Sequence, residues 1–327
     1  MTALRYYPDS KPGITRRRAG RGFSYYDRHG DLISDHAERA RLAALAVPPA
    51  YDNVWISPFD NGHLLATGYD TRERKQYRYH PQWSQVQAET KFASLVDFGA
   101  ALPRLRARAQ RDLRDDLGEQ SFALAAAVTM IDQLSLRVGG AVYAKTNGTY
   151  GTLTLKRQHV RLRDGRLQVS FVAKGGKRVR RQIADKTLMR ALQKIRDLPG
   201  AELLAWLDDQ GQPHTLTSAA LNSYIGEASG AVGFSAKTFR TWAGTLAAFE
   251  VACAQDKPKI TEMADAAAQR LHNTPAIARS SYIHPAVIDL CETPQQLPRA
   301  GRQRGLSLIE RRLLSFLRAV AEVDGTG

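Results

Sequence analysis

Cysteine is scarce in this sequence, and long apolar runs are missing. The 327 residues include two cysteines, Cys253 and Cys291, and neither belongs to a CxxC pattern. This usage argues against a zinc site or a disulfide framework and indicates reduced thiols. The longest apolar run, residues 122–131, is about half of a membrane span, and the start of the chain lacks the apolar core of a signal peptide. We therefore expect a cytoplasmic protein that does not bind a membrane.

Acidic residues are few relative to basic ones. The chain has 32 Asp and Glu against 47 Lys and Arg, a net charge of +15. This excess runs along the whole chain, which favours a partner with regularly spaced negative charge, and nucleic acid is the first candidate. The adjacent carboxylates at 115–116 and 208–209 are typical of helix ends rather than metal ligands, and no GxxxxGK[ST] motif is present. We expect no metal and no small-molecule cofactor.

The pattern of short apolar segments predicts two domains, as the length also suggests. Residues 1–80 contain strand-like runs separated by turn residues, such as VWIS, LLATGY and KQYRYH. From residue 81 the pattern is mainly helical, with the strand-like runs TLTLK, HVRLR, LQVSFVAK and RVRRQI in its middle. We predict an α+β fold with a small β-rich N-terminal domain, 1–80, and a larger, mainly helical domain, 81–327, that carries a three-stranded antiparallel sheet. Predicted helices cover 36–46, 89–101, 103–115, 119–137, 185–198, 200–207, 217–229, 235–252, 259–272 and 305–322.

The segment 273–285, NTPAIARSSYIHP, predicts a short basic helix. Thr274 is a good N-cap and Pro275 a good first helical residue, while Pro285 should end the helix. Tyr282 then lies near the end of that helix, where a phenol close to arginines can act as a nucleophile toward phosphorus. For any one of the twelve tyrosines, a packed ring with a solvated hydroxyl is the alternative.

Three cations outside this segment are candidates to join it. Arg137 ends a predicted helix, where a cation also complements the helix dipole. Lys174 lies in a glycine-flanked turn, either as a solvated lysine or as one that reaches into a bound duplex. Arg240, in KTFRTW, has no carboxylate three or four residues away, so its partner is a distant acid or a ligand phosphate.

The run KQYRYH at 75–80 alternates in character. One face carries Gln76 and Arg78, and the other carries Tyr77 and Tyr79. The pattern fits either a half-buried edge strand or a strand that offers amide, guanidinium and phenol groups to a DNA groove.

Taken in order, these motifs resemble the type IB DNA topoisomerases of the small poxvirus and bacterial kind. Arg137 follows a helix, Lys174 lies in a β-turn, Arg240 lies in KTFRTW, and Tyr282 comes nine residues after Asn273. Residues 51–80 resemble that family's N-terminal DNA-clamping domain. The resemblance implies a tyrosine-recombinase-like catalytic domain and a monomer that forms a two-lobed clamp on duplex DNA of the nucleoid.

The resemblance also implies an activity: relaxation of supercoiled DNA through a transient 3′-phosphotyrosyl intermediate, without ATP or metal. Tyr282 would attack the phosphate, Arg137 and Arg240 would bind its non-bridging oxygens, and Lys174 would protonate the departing 5′-oxygen. Residues expected to contact DNA are Gln76, Tyr77, Tyr79 and Tyr143.

Position 273 departs from the family pattern, since relatives often have histidine there. Asparagine donates a hydrogen bond but cannot carry a proton. We therefore expect Asn273 to hydrogen-bond the transition state and not to act as a base. His272 is one residue out of register, about 100° around a helix, and is a poor substitute.

Two other functions remain open from the sequence. A tyrosine recombinase would share the nucleophile and the arginines, although Lys237 stands where recombinases commonly have the histidine of an HxxR box. A non-enzymatic architectural DNA-binding protein would share the charge and the β-strand tyrosines.

Overall fold

The computed structural model describes residues 3–114, 119–163, 165–196, 202–292 and 298–324. It divides the chain into two compact units, Met1–Thr90 and Lys91–Gly327. A long helix begins at Pro81, where the sequence predicts a domain boundary, and the division between the two units falls inside that helix. No helix in the described ranges is long and apolar enough to cross a membrane.

The N-terminal unit is built on one antiparallel sheet of five strands in the order β2-β1-β3-β4-β5. Its core contains Ile14, Val54 and Ile56 from the strands and Leu42 from a short helix. Asp35 caps that helix, since its carboxylate accepts a hydrogen bond from the Glu38 amide. The elements are β1 (Ile14–Ala19), β2 (Gly22–Tyr26), α1 (His36–Ala44), β3 (Asp52–Ile56), β4 (Leu64–Tyr69) and β5 (Lys75–Tyr79).

The second unit is mainly helical, with α3 and α7 buried at its centre. Its helices are α2 (Pro81–Asp112), which enters from the first unit, α3 (Gln120–Leu134), α4 (Ala141–Asn147), α5 (Lys186–Arg196), α6 (Ser218–Ser229), α7 (Ala236–Ala254), α8 (Ile260–Leu271), α9 (Pro275–Tyr282), α10 (Pro285–Asp289) and α11 (Leu308–Asp324). Its strands are β6 (Val160–Arg163), β7 (Arg166–Val172), β8 (Arg178–Ile183), β9 (Ala205–Leu207) and β10 (Pro213–Thr215).

The expected α+β fold is confirmed, including a three-stranded antiparallel sheet, which runs β6-β7-β8. The run TLTLK is not one of its strands, and Thr152–Thr154 forms a single 3₁₀ turn instead. The amides of Thr152 and Leu153 donate to the carbonyls of Arg137 and Val138, both at 2.8 Å. These bonds commit the segment to the loop after α3, so it cannot pair with the sheet.

Two helix predictions are also wrong in detail. Residues 89–115 were expected to form two helices, but α2 runs through Pro103 without a break. Proline costs the helix one hydrogen bond, and a continuous buried stripe that includes Phe98, Leu102 and Leu105 offsets that loss. The expected helix 200–207 contains strand β9 instead, where Trp206 stacks on His214 of β10 at 4.9 Å.

A charged cluster fastens the C-terminal helix to the body of the second unit. Arg106 of α2 donates to both oxygens of Asp132 in α3 and to both oxygens of Glu310 in α11, at 2.7–3.1 Å. The two carboxylates are largely buried, so the cluster connects three helices that are distant in sequence.

Candidate active site

Tyr282 is the last residue of α9, as predicted. The Thr274 hydroxyl accepts a hydrogen bond from the Ile277 amide and Pro275 follows it, so the helix begins where the capping pattern indicated. The ring of Tyr282 is half-buried, and the guanidinium carbon of Arg240 lies 5.4 Å from the ring centroid. The phenol and one of the two predicted arginines are therefore neighbours.

Arg240 is buried, with 4% of its surface exposed. No carboxylate of the described residues pairs with its guanidinium. Instead, its Nη1 donates to the Ser135 carbonyl, and its Nη2 donates to the Leu271 carbonyl at 3.0 Å. Its Nε has no hydrogen-bond partner in the described chain. Burial, followed by the positive charge of Arg137, lowers the pKa of Arg240 to about 10. An anion placed here would reverse part of that shift.

Arg137 lies beside Arg240 in the loop after α3. Its Nη2 donates to the Asn273 side-chain oxygen, and burial lowers the pKa of Arg137. The loop is held by bonds from Thr152 to the Arg137 carbonyl and by the close approach of Gly151, where a Cβ would lie 2.6 Å from that carbonyl oxygen. The side chain therefore contacts another predicted site residue, which a mere dipole role would not require.

Asn273 connects the arginines to the start of α9. It is 8% exposed. Its backbone amide donates to the Ala268 carbonyl at 3.0 Å, and its backbone carbonyl accepts from Lys177 Nζ at 2.7 Å. Its side-chain oxygen is used by Arg137, whereas its Nδ2 is buried without a hydrogen-bond partner in the described residues. Since buried donors are normally satisfied, this amide is suited to an acceptor brought by a ligand.

Lys174 is the predicted residue that the structure does not bring to this cluster. It is exposed in the turn between β7 and β8, and no hydrogen bond or ion pair joins it to the described residues. Gly175 and Gly176 both have positive φ, 82° and 73°, a conformation that favours glycine and lets the turn be tight. Tyr282, Arg137, Arg240 and Asn273 form one cluster, and no hydrogen bond or ion pair in the described chain joins Lys174 to it.

Three of the four predicted DNA contacts are exposed, and the fourth, Gln76, is half-buried. In β5, Tyr77 and Tyr79 stack with a centroid distance of 6.0 Å and are 52% and 43% exposed. Gln76 points to the other face, where its Nε2 donates to Asp70 at 2.9 Å. Tyr143 is 47% exposed on α4, a helix without buried residues.

Sequence reasoning assigned no role to three residues that surround the cluster, and it named His272 only as a poor substitute for position 273. Lys177 binds the Asn273 carbonyl, and His272 ends α8 in the left-handed conformation with φ 50°. Burial, followed by the charge of Arg181, lowers the pKa of His272 to about 4. Lys91 and Thr245 bind backbone carbonyls of α9. Contacts to backbone groups leave no side-chain pattern, so the sequence carries no signal for them.

Carboxylates play no part in this cluster. In the described ranges, no group of three or more His, Cys, Asp or Glu could hold a metal ion. Asp208 serves the β9–β10 turn, where it accepts from the Gln210 and Gln212 amides and pairs with His214 at 2.7 Å. The other acidic pair, 115–116, lies outside the described residues. The site thus consists of a phenol, two guanidiniums and an amide, which suits an anionic phosphate.

Known proteins with similar sequences have one function in common. The model of the catalytic core of eukaryotic DNA topoisomerase I matches residues 80–278, and that of the N-terminal domain of bacterial DNA topoisomerase IB matches residues 22–70. The DNA topoisomerase 1B of Acanthamoeba polyphaga mimivirus is 28% identical over 85% of this chain and 87% of its own length. The DNA topoisomerase 1B of vaccinia virus (strain Copenhagen) is 24% identical over 38% of this chain and 39% of its own.

Among solved structures, the XerH site-specific recombinase bound to a palindromic difH substrate gives a TM-score of 0.37, with 14% identity over 57% of this chain and 51% of that one. The sequence matches decide the classification. A catalytic-core model that covers more than half of the chain defines a DNA topoisomerase, an isomerase. The chain belongs to the type IB DNA topoisomerase family.

Proposed function

We propose that Tyr282 is the nucleophile with which this topoisomerase cleaves one strand of duplex DNA. The observation that carries the proposal is the convergence of Arg137, Arg240 and Asn273 on this phenol, with two buried donors, Arg240 Nε and Asn273 Nδ2, that have no partner in the described chain. Guanidiniums bind phosphate oxygens through forked, charge-assisted bonds. Arg137 and Arg240 hold the two non-bridging oxygens, and Asn273 donates to one of them.

The reaction is a transesterification. The Tyr282 oxygen forms a bond to phosphorus and the bond from phosphorus to the 5′-oxygen breaks, which leaves a 3′-phosphotyrosyl ester and a 5′-hydroxyl. The phenol proton passes to water, and the 5′-oxygen receives a proton from a general acid. Because one ester replaces another, reversal restores the strand without ATP. The enzyme needs no metal ion, since the two guanidiniums neutralise the phosphate oxygens.

Lys174 is the proposed general acid, although no hydrogen bond or ion pair in the described chain joins it to the cluster. Its turn contains two glycines with positive φ, so the turn has the backbone freedom to adjust when a duplex is present. Protonation matters most for a strongly basic leaving group. We expect Lys174→Ala to cleave ordinary DNA at least about a hundredfold more slowly. Full or nearly full cleavage should return with a substrate that carries sulfur at the 5′-bridging position, since a thiolate leaves without a proton.

The same substrate gives a control. Asn273→Ala should remain slow on the sulfur-containing duplex, because Asn273 acts on the non-bridging oxygens. Equal recovery of both variants would remove Lys174 from the role of general acid.

We propose further that the protein works as a monomer on the nucleoid, with its two units forming a clamp around the duplex. Gln76, Tyr77, Tyr79 and Tyr143 are the proposed DNA contacts. Exposed, stacked tyrosines in β5 and the uncovered helix α4 support this assignment, since phenol and amide groups reach both phosphates and base edges.

Plasmid relaxation tests the proposed chemistry directly. The enzyme should relax supercoiled plasmid with EDTA present and ATP omitted, and denaturation during the reaction should trap protein on the 3′ end of the cut strand. Tyr282→Phe should bind DNA and form no adduct. An adduct that persists in Tyr282→Phe, or that carries the 5′ end, would overturn the assignment. Relaxation by monomers on DNA without paired recognition sites separates the activity from recombination.

A further inference from the structure

The end of helix α9 is held from outside the helix. The last four carbonyls of any α-helix lack partners within the helix, and its C-terminus carries partial negative charge. In α9 these groups include the carbonyls of Ser281 and Tyr282. Both accept side-chain hydrogen bonds, one from Lys91 on α2 and one from Thr245 on α7.

Lys91 is an unusual residue for this task. Its Nζ donates to the Ser281 carbonyl at 2.9 Å and lies 3.9 Å from the centroid of the Phe92 ring. It is half-buried, and no carboxylate pairs with it in the described residues. Burial, followed by the positive charge of Lys237, lowers the pKa of Lys91 to about 8. A desolvated cation without an acid partner is costly, so the carbonyl contact is an important interaction for it.

Further contacts tie the residues around Tyr282 to the same two helices. The Thr245 hydroxyl donates to the Tyr282 carbonyl and accepts from the His284 amide, both at 3.1 Å. The His284 ring packs edge-on against the ring of Phe92, with the two centroids 5.4 Å apart. Phe92 directly follows Lys91 in the sequence. The backbone on both sides of the nucleophile is thus tied to α2 and α7.

We propose that Lys91 is a positioning residue for DNA cleavage: its ammonium holds the C-terminal end of α9 through the Ser281 carbonyl and so sets the approach of the Tyr282 phenol to phosphorus. The proposal rests on the proposed role of Tyr282. The alternative role for such a lysine is to bind a phosphate of the DNA. The bond to Ser281 favours positioning, because it already directs the ammonium to the backbone residue that precedes the nucleophile.

Three variants test the proposal: Lys91→Met, which keeps the length of the chain and removes the charge and the donors, Lys91→Arg, which restores both, and Lys194→Met as an exposed-lysine control on α5. Single-turnover cleavage is measured with saturating short linear duplex. Affinity for the same duplex is measured in a Tyr282→Phe background, where no adduct forms.

Lys91→Met should cleave roughly 10- to 100-fold more slowly at saturating DNA, the size of effect that small misplacements of reacting groups produce. Its Kd should stay within about twofold of the parent, because positioning acts on the chemical step. Lys91→Arg should recover most of the rate, and Lys194→Met should match the parent. The deficit of Lys91→Met should persist on the 5′-sulfur substrate, since leaving-group activation does not correct a misplaced nucleophile.

Other outcomes overturn the proposal. A raised Kd with an unchanged rate at saturation would make Lys91 a phosphate contact, and equal losses in the Met and Arg variants would make it a packing residue. Recovery on the sulfur substrate would make it part of proton transfer. If urea unfolding shows Lys91→Met to be unfolded, Lys91→Gln takes its place in the same measurements. Failure of the parent enzyme to form a Tyr282 adduct is a separate result, which rejects the proposed function itself.

Discussion

At the scale of single residues, the oxygen and the nitrogen of the Asn273 side chain differ in their partners. The side-chain oxygen of Asn273 accepts from Arg137 while its Nδ2 donor stays free of protein partners in the described chain. Asparagine therefore orients one arginine and keeps a donor for the phosphate. A histidine at this position can donate a hydrogen bond as well.

Substitution of Asn273 should separate donation from proton transfer. Asn273→Ala removes one transition-state donor and should slow single-turnover cleavage by about a hundredfold. Asn273→His keeps a ring N–H and should stay within about tenfold of the parent. An alanine variant with the parent's cleavage rate would remove Asn273 from the site.

His272 should make the folded protein sensitive to mild acid. Its pKa is lowered from 6.5 to about 4 in the folded chain, so below pH 6.5 the unfolded chain binds the proton first. The stability that depends on a neutral His272 is fully present above pH 6.5 and is lost as the pH falls toward about 4. His272→Asn tolerates the left-handed conformation and should flatten this dependence.

Urea unfolding of the parent and of His272→Asn, each at about pH 7.5 and about pH 5, measures the effect. The other histidines are the same in both proteins, so the difference between the two pH dependences belongs to His272. Identical pH dependences would show that its ring takes up a proton as easily in the folded chain as in the unfolded one.

Side-chain motifs in the sequence, with the family resemblance, were enough to select Tyr282, Arg137, Arg240 and Asn273 for this cluster. The partners of Arg240 could not be inferred, because they are carbonyls of residues 135 and 271, and every residue has a carbonyl. The position of Lys174 could not be inferred either. A glycine-flanked turn can be recognised in a sequence, but the direction in which its lysine points cannot.

At the scale of elements, the close packing of α7 against α9 determines where Tyr282 lies. Gly244 has no side chain, and a Cβ there would lie 2.8 Å from the Tyr282 carbonyl oxygen. The next residue, Thr245, is fully buried, and its hydroxyl bonds the Tyr282 carbonyl and the His284 amide on either side of Ile283. The two helices thus meet at the residue that carries the phenol.

Replacement of Thr245 by valine should loosen this junction without a change of volume. It leaves the Tyr282 carbonyl and the His284 amide without their partner, which should cost about 1–3 kcal/mol of stability. Cleavage should slow as well. Thr241→Val is the matched control, since Thr241 is equally buried on α7 but bonds within its own helix, to the Lys237 carbonyl.

Urea unfolding and single-turnover cleavage of both variants provide the comparison. Similar losses in Thr241→Val and Thr245→Val would mean that α7 is sensitive to any polar deletion, and the junction with α9 would then have no special part.

Most elements follow from local pattern, and the errors share one cause. The Thr274 cap accepts the expected amide bond, and the helices that follow Asp35, Thr217 and Thr274 were predicted within a residue or two. The run TLTLK alternates like a strand, yet its amides bond to the loop of Arg137. Pro103 suggests a helix end, yet burial carries α2 through it. In both cases distant contacts overrode the local preference.

At the scale of the whole molecule, stability of the second unit depends on the cluster of Arg106, Asp132 and Glu310. Glu310→Gln removes a largely buried carboxylate that accepts from Arg106 and from the Ser307 amide. The loss should be roughly 2 kcal/mol, the size of a charged hydrogen bond. Glu250→Gln is the matched control, because Glu250 pairs with Arg270 at a position where both side chains are 40% exposed.

The control should lose less than about 1 kcal/mol, as exposed pairs do. Urea midpoints of the two variants near neutral pH supply the measurement. Equal losses would show that the cluster is no stronger than a surface pair. The sequence could not have revealed this cluster, since its members are separated by up to 204 residues.

The same cluster has a consequence for how the protein is made. Arg106 and Asp132 leave the ribosome long before Glu310, which is contributed by the last described helix. Until residue 310 emerges, the nascent catalytic unit lacks one of the two acids that neutralise Arg106. The second unit should therefore reach its full stability only after synthesis has passed residue 310.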